Sequence, residues 1–280
     1  ETVAKALGPS PESTFYFHLH PWDYNQGASY AEGWDAIQKK YPNVQIKKIF
    51  LAYEEGAFGK SSWDSTKILF GADKRYTIDG APFKSALLGG GDYTAVLEAA
   101  KAFKPDLFLW AGYDADALPL LEQSKAMKFS PGIYLGAPPG WPIGFGSSRL
   151  ANNVMLYGMW STAMNDTNAQ SKKFYDAYVK RYREEPATYF ALLAYDAVKI
   201  LANGIKAAGT TETAALVKAL EATSYASALG ETITFKPSNV IKHQGITRQK
   251  ILQWQGGLQE VIWPFEAATA APVYPFPAWK

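Results

Sequence analysis

Pro105-Asp106-Leu107-Phe108-Leu109-Trp110-Ala111-Gly112-Tyr113-Asp114, with the sequence that follows as far as Gly136-Ala137-Pro138-Pro139-Gly140-Trp141, decides the fold. Leu107 to Ala111 is an unbroken apolar run, the pattern of a strand buried on both faces. Gly112-Tyr113-Asp114 reads as a turn. Asp114 or Asp116 caps the following helix, because a short carboxylate accepts hydrogen bonds from the orphan amides of a first turn. Leu118, Leu121 and the region of Met127 recur at helical spacing, and Lys128 with Ser130-Pro131-Gly132 stops the helix. Ile133 to Leu135 is a second apolar strand, running into a rigid Pro-Pro-Gly-Trp lip. In open parallel sheets ligands bind beyond the carboxyl ends of the strands. Tyr113, Asp114 and the Pro138–Trp141 lip are expected there.

Working outward, the same alternation continues. Phe15 to His20 reads as a short strand broken by Pro21-Trp22-Asp23, and Asp23 opens a helix to about Lys40 with Tyr30, Trp34 and Ile37 on one face. Ile46 to Tyr53 is a strand, Ala57 to about Phe70 a helix, and residues 74–79 a third strand. Residues 80–91, rich in Gly and Pro, read as a loop ending at Asp92, the cap of a helix from Tyr93 to Phe103. Val154 to Trp160 is a further strand. Alternating strands and helices predict a parallel α/β layer with right-handed crossovers. At Thr162 the pattern changes to three helices without intervening strands, ending near Tyr182, Ala208 and Leu220, each with an apolar face that needs a sheet to cover it. Strands return at 231–235, 246–254 and 258–263, and a proline-rich tail closes the sequence.

Composition narrows the function. The 280 residues are 48% hydrophobic and 19% charged, which is globular. Net charge is +2, and the densest basic stretch, Lys180-Arg181-Tyr182-Arg183, runs into Glu184-Glu185 as a solvated helix face, so no nucleic-acid partner is expected. Without cysteine, thiol catalysis, disulfides and cysteine-type zinc sites are excluded. No apolar run approaches the roughly 18–20 residues of a membrane span. There is no phosphate loop, no Gly-x-Gly-x-x-Gly after a strand and no Gly-x-Ser-x-Gly elbow; Gly144-Phe145-Gly146-Ser147-Ser148 is a fragment of such a loop at most. No enzyme, catalytic residue, cofactor or metal is therefore expected. His18 and His20 point the same way on a strand but have no obvious third ligand, so His20 is read as a hydrogen bonder in a cleft.

Asp23-Tyr24-Asn25-Gln26-Gly27, Tyr53-Glu54-Glu55-Gly56-Ala57-Phe58-Gly59, Gly91-Asp92-Tyr93, Lys104-Pro105-Asp106, Ala111-Gly112-Tyr113 and the helix through Ala191 to Ala197 occur in an order that resembles the type I periplasmic binding proteins of ABC transporters, the group of the leucine/isoleucine/valine-binding protein. The resemblance covers about residues 15–279. It implies two doubly wound parallel-sheet α/β lobes, joined by three crossings and a hinge, that close over a small molecule. One lobe would be residues 15–161 plus 246–263, and 164–240 the helical part of the other. Residues 1–14 would be a linker or cut end and 264–280 an extended tail. The second lobe normally begins with βα units that are absent here, so an N-terminally shortened member with one incomplete lobe is expected, which the mass of the purified protein against its reading frame would test.

In amino-acid-binding members two aromatics contact the ligand, and the matching positions are Phe58 and Tyr113. A glutamate takes the ligand's ammonium, and the matching position is Pro138 or Pro139, neither acidic. A buried ammonium without a counter-charge is costly. Asp114 or Glu54 would have to substitute, each being equally readable as a helix cap and a solvated turn residue respectively. Trp22 and Trp141 stand at crevice edges and can stack on a ligand or pack between lobes. The expected ligand is an amino acid or an aromatic or other organic carboxylate, with the missing glutamate favouring a carboxylate without an amine. The resemblance implies an extracytoplasmic, periplasmic location, a signal peptide outside this sequence, a membrane permease as partner, and a monomer or weak dimer. A sensor domain of the same fold is the alternative, and an enzyme on a doubly wound sheet a weaker one.

Overall fold

The computed structural model describes residues 15–21, 23–136, 143–238 and 241–279. In chain order the main elements are β1 (Phe17–His18), α1 (Asp23–Lys40), β2 (Lys48–Glu54), α2 (Ala57–Leu69), β3 (Thr77–Phe83), α3 (Thr94–Phe103), β4 (Leu107–Ala111), α4 (Asp114–Ala126), β5 (Ile133–Gly136) and β6 (Met155–Gly158). Then follow α5 (Ala169–Tyr182), α6 (Phe190–Ala208), α7 (Thr213–Glu221), β7 (Tyr225–Ala226), β8 (Thr232–Ile233), β9 (His243–Gln244), β10 (Lys250–Gln255) and β11 (Leu258–Trp263). The chain divides into two compact units, passing between them at Gln26–Gly27, Ala163–Met164 and Arg248–Gln249.

The larger unit, residues 27–163 with 249–280, is built on a seven-stranded sheet of order β11-β10-β6-β5-β4-β2-β3. Strands β3, β2, β4, β5 and β6 run parallel, and the β10–β11 hairpin adds on antiparallel to β6. Every residue of β4, β5 and β6 is buried. The unbroken apolar runs follow from this, since helices cover both faces and no position looks to water. Alternation sorts the side chains. Ile49, Leu51, Leu107, Leu109, Ile133 and Leu135 face one way, into a core that includes Tyr30, Trp34 and Ile37 of α1. Phe50, Phe108 and Tyr134 face the other, with ring centroids 6.2 Å apart for Phe50–Phe108 and 5.7 Å for Phe108–Tyr134. There Ser124 of α4 and Tyr134 share a 2.7 Å hydrogen bond. Phe276 of the tail donates its amide to Gly132 at 2.7 Å and Trp279 its indole N–H to Phe129 at 2.7 Å, so the tail packs as part of this unit rather than apart from it.

Of the described residues, the smaller unit takes those up to Gln26 and those from Met164 to Arg248. It contains α5, α6, α7 and two two-stranded sheets, β7–β8 and β1–β9. Asn168 caps α5, its side-chain carbonyl accepting from the amides of Gln170 and Ser171. Asp196 of α6 is buried and accepts from the hydroxyls of Tyr225 and Ser227, tying helix to hairpin. Along α5 and α6, Tyr182, Phe190, Tyr195, Val198 and Leu201 are exposed.

Three expectations need correction. Residues 15–26 belong with the smaller unit, because β1 pairs in parallel with β9, Phe17 opposite His243, and not with the large sheet. The boundary after the helical segment falls at Arg248–Gln249 rather than before 246. The segment Gly80-Ala81-Pro82-Phe83, expected as loop, is the second half of β3. As an edge strand β3 accommodates Pro82, whose missing N–H costs no hydrogen bond on the open side.

Candidate functional site

The parallel strands bring their carboxyl ends to one edge of the sheet: Glu54 on β2, Phe83 on β3, Ala111 on β4 and Gly136 on β5. Phe58, one residue into α2, and Tyr113, the residue before α4, are both half-buried there, with ring centroids 5.9 Å apart and planes at 45°. Burial raises the Tyr113 phenol above its ordinary value, reinforced by the nearby charges of Glu54 and Asp116. The pair forms an aromatic wall whose hydroxyl stays protonated at neutral pH.

Glu54 is buried, not a solvated turn residue. Its two oxygens accept from the Gly56 amide at 2.6 Å and the Gly59 amide at 2.7 Å, so the carboxylate caps the helix that follows its own strand. A Cβ at Gly59 would lie 2.0 Å from the Glu54 carbonyl oxygen, so only glycine lets α2 start this close to β2. Gly59→Ala is expected to destabilise the protein by about 1–3 kcal/mol through this backbone clash, read as a lower denaturation midpoint; an unchanged midpoint would show that the turn relaxes freely.

Asp114 is exposed and, among the described residues, accepts only from the adjacent Ala115 amide, at 3.0 Å. The cap of α4 is instead Asp116, wholly buried, which takes the Tyr113 amide at 2.8 Å. It also accepts from Ser85, Ala86 and Tyr93, an assembly that no local pattern in the sequence announces. Of the remaining expected positions, Trp22, Pro138, Pro139 and Trp141 lie outside the described residues.

His20 belongs to the smaller unit. Its Nδ1 lies 2.8 Å from the Pro21 carbonyl, which can only accept, so Nδ1 carries the proton. Nε2 then accepts the Tyr189 hydroxyl at 2.8 Å, and the ring stacks on Tyr189 and Phe190. Both His18 and His20 are pushed down to about 4, chiefly by burial. Neutral when folded, they protonate near 6.5 when unfolded. Their contribution to stability is complete above that value and is lost as pH falls from about 6.5 towards 4. Denaturant midpoints are thus expected to be lower at pH 5 than at pH 7.5, with a smaller difference in His20→Gln; equal midpoints would contradict the shifts. Among the described residues no group of three or more His, Cys, Asp or Glu is placed to hold a metal.

A groove between Asp35, Gln38, Lys39, Lys47, Arg75 and Tyr76 is also present in the larger unit. It lies by the residues that precede β2 and β3, at the opposite ends of these strands from Phe58 and Tyr113. Of its cations, Arg75 is engaged, bonding Asp73 and Asp35.

A sequence profile of the family described as "Periplasmic binding protein" matches residues 2–258. The chain belongs to this family, as a type I periplasmic binding protein of the family named for the Leu/Ile/Val-binding protein; the family consists of binding proteins, not enzymes. Leu/Ile/Val-binding protein homolog 7 of Brucella abortus (strain 2308) is 23% identical over 185 residues, which are 63% of this chain and 46% of that protein. The chain thus spans about half the length of this curated relative. Among solved structures, a solute-binding protein of an ABC transporter from R. palustris in complex with benzoate aligns with TM-score 0.66 and 19% identity over 90% of this chain and 65% of its own. The branched-chain amino acid transporter substrate-binding protein of Streptococcus pneumoniae in complex with isoleucine aligns with TM-score 0.68 and 21% identity over 96% and 71%. At these identities the structures establish the fold. No helix among the described residues is long and apolar enough to cross a membrane.

Proposed function

We propose that this chain is part of an extracytoplasmic receptor that binds a small organic solute against Tyr113 and Phe58 and delivers it to the membrane permease of an ABC transporter. The observation that carries the reading is the half-buried Phe58–Tyr113 pair at the carboxyl ends of adjacent parallel strands. Such a pair offers flat apolar surface with one hydroxyl for orientation. Trp22, Trp141, Pro138 and His20 are further candidate contacts on their sequence positions alone.

Between an amino acid and an aromatic or other organic carboxylate, the geometry favours a ligand without an amine. An ammonium buried against this wall needs a counter-charge shielded from water, and the buried carboxylates at this edge are already engaged. Each oxygen of Glu54 holds an amide and Asp116 holds four donors, whereas Asp114 is exposed. Relatives with the same fold bind benzoate in one case and isoleucine in another, so the fold admits both. Calorimetric titration with benzoate-type acids and with leucine separates them. Benzoate-type binding is expected, and tight leucine binding with no aromatic-acid binding would overturn the assignment.

A further inference from the structure

Asp116 does more than a helix cap requires. A cap needs an acceptor for one orphan amide, and Oδ2 supplies it to Tyr113 at 2.8 Å. The same oxygen also takes the Ser85 hydroxyl at 2.8 Å. Oδ1 takes the Ala86 amide at 2.7 Å and the Tyr93 hydroxyl at 2.6 Å. Asp116, Ser85 and Tyr93 are each 0% exposed. Ser85 and Ala86 follow β3, Tyr93 precedes α3 and Tyr113 follows β4, so two connections at the carboxyl edge of the sheet are gathered on one carboxylate. Little slack is left: a Cβ at Gly112 would lie 2.7 Å from Asp116 Oδ2 and 2.8 Å from the Phe83 ring.

Two turns further along α4, Gln123 braces the same loop. Its carbonyl accepts the Tyr93 amide at 2.7 Å and its amide donates to the Gly91 carbonyl at 2.7 Å. Both side chains therefore hold the 84–93 segment, but of the two only Asp116 bonds the Tyr113 turn.

We propose that Asp116 is a positioning residue for solute binding: by fixing the Tyr113 turn against the Ser85–Ala86 segment it sets the direction in which the Tyr113 ring meets the solute. The proposal rests on Tyr113 being a contact, as argued above. A charged acceptor shared among four donors is stiffer than any single neutral bond, and binding residues gain affinity when their rotamers are locked beforehand.

The test compares the unmodified chain with Asp116→Asn, Ser85→Ala and Gln123→Ala. Protein labelled with 15N-tyrosine is used, and the Tyr113 cross-peak is assigned by its loss in Tyr113→Phe. Calorimetry with benzoate and with leucine is run at a temperature where circular dichroism shows each variant folded. Asp116→Asn is expected to shift the Tyr113 amide signal and weaken binding of the bound probe tenfold or more. Ser85→Ala is expected to do the same to a lesser degree, and it serves if Asp116→Asn does not fold. Gln123→Ala, although it loosens the same loop, is expected to leave the Tyr113 signal in place and affinity within twofold. A Tyr113 signal and affinity unchanged in folded Asp116→Asn would overturn the proposal, as would equal effects from Gln123→Ala. If the unmodified chain binds neither probe, the ligand class fails, while the Tyr113 signal still decides whether Asp116 positions that turn.

Discussion

Asp116→Ala is expected to lower the stability of the protein by about 3–5 kcal/mol. The substitution leaves four donors, two of them main-chain amides, facing a hole where a carboxylate had satisfied all of them. Each orphaned buried donor costs about 1–3 kcal/mol, and water entering the hole recovers part of the sum. Because Ser85 and Tyr93 are as inaccessible as Asp116 itself, side chains have no route to rearrange towards bulk solvent. The denaturant midpoint reads the effect. A loss below about 1 kcal/mol, the scale of a simple helix cap, would show that the three other donors find partners without it.

Tyr113→Ala is expected to act in the opposite manner, with a small effect on folding and a large one on binding. The ring is half-buried and stands at the end of a turn, so its loss opens no core cavity. Affinity for a benzoate-type acid is expected to fall about 10–100-fold, the scale of a truncated aromatic anchor. Tyr113→Phe keeps the ring and loses only the hydroxyl, so it is expected to retain most of the affinity for an apolar ring while losing orientation. Phe58→Ala is expected to resemble Tyr113→Ala, because the two rings form one surface. Calorimetry of the three variants checks the order, and an unaffected Tyr113→Ala would remove this wall from the account.

The central strands were legible in the sequence for a physical reason. A strand covered on both faces has no polar positions, and Leu107 to Ala111 displays that directly. The edge strand was not legible over its second half. Gly80 and Pro82 are breakers in an isolated chain, and only the position of β3 at the sheet margin makes them tolerable. The pairing of Phe17 with His243 could not be read either, since a two-residue bridge across most of the chain leaves no period in either segment. At the wall, Phe58 and Tyr113 were visible through the strings around them, and the structure sets them side by side. The choice between Asp114 and Asp116 was not visible, since both stand in the first turn of α4. Burial decided it, through Ser85 and Tyr93, which are distant in sequence. Glu54 is the intermediate case. Its spacing to Gly56 and Gly59 is a local signal, a carboxylate followed by two backbone amides that it can hold, but that signal reads equally as an open turn.

The most direct measurement is a crystal structure of the chain grown with benzoate. Ligand density is expected against the rings of Tyr113 and Phe58 at the carboxyl ends of β2 and β4, with the Glu54 and Asp116 hydrogen bonds unchanged. Benzoate bound instead in the groove of Asp35, Arg75 and Tyr76, or an empty strand-end wall beside a ligand held elsewhere, would contradict it.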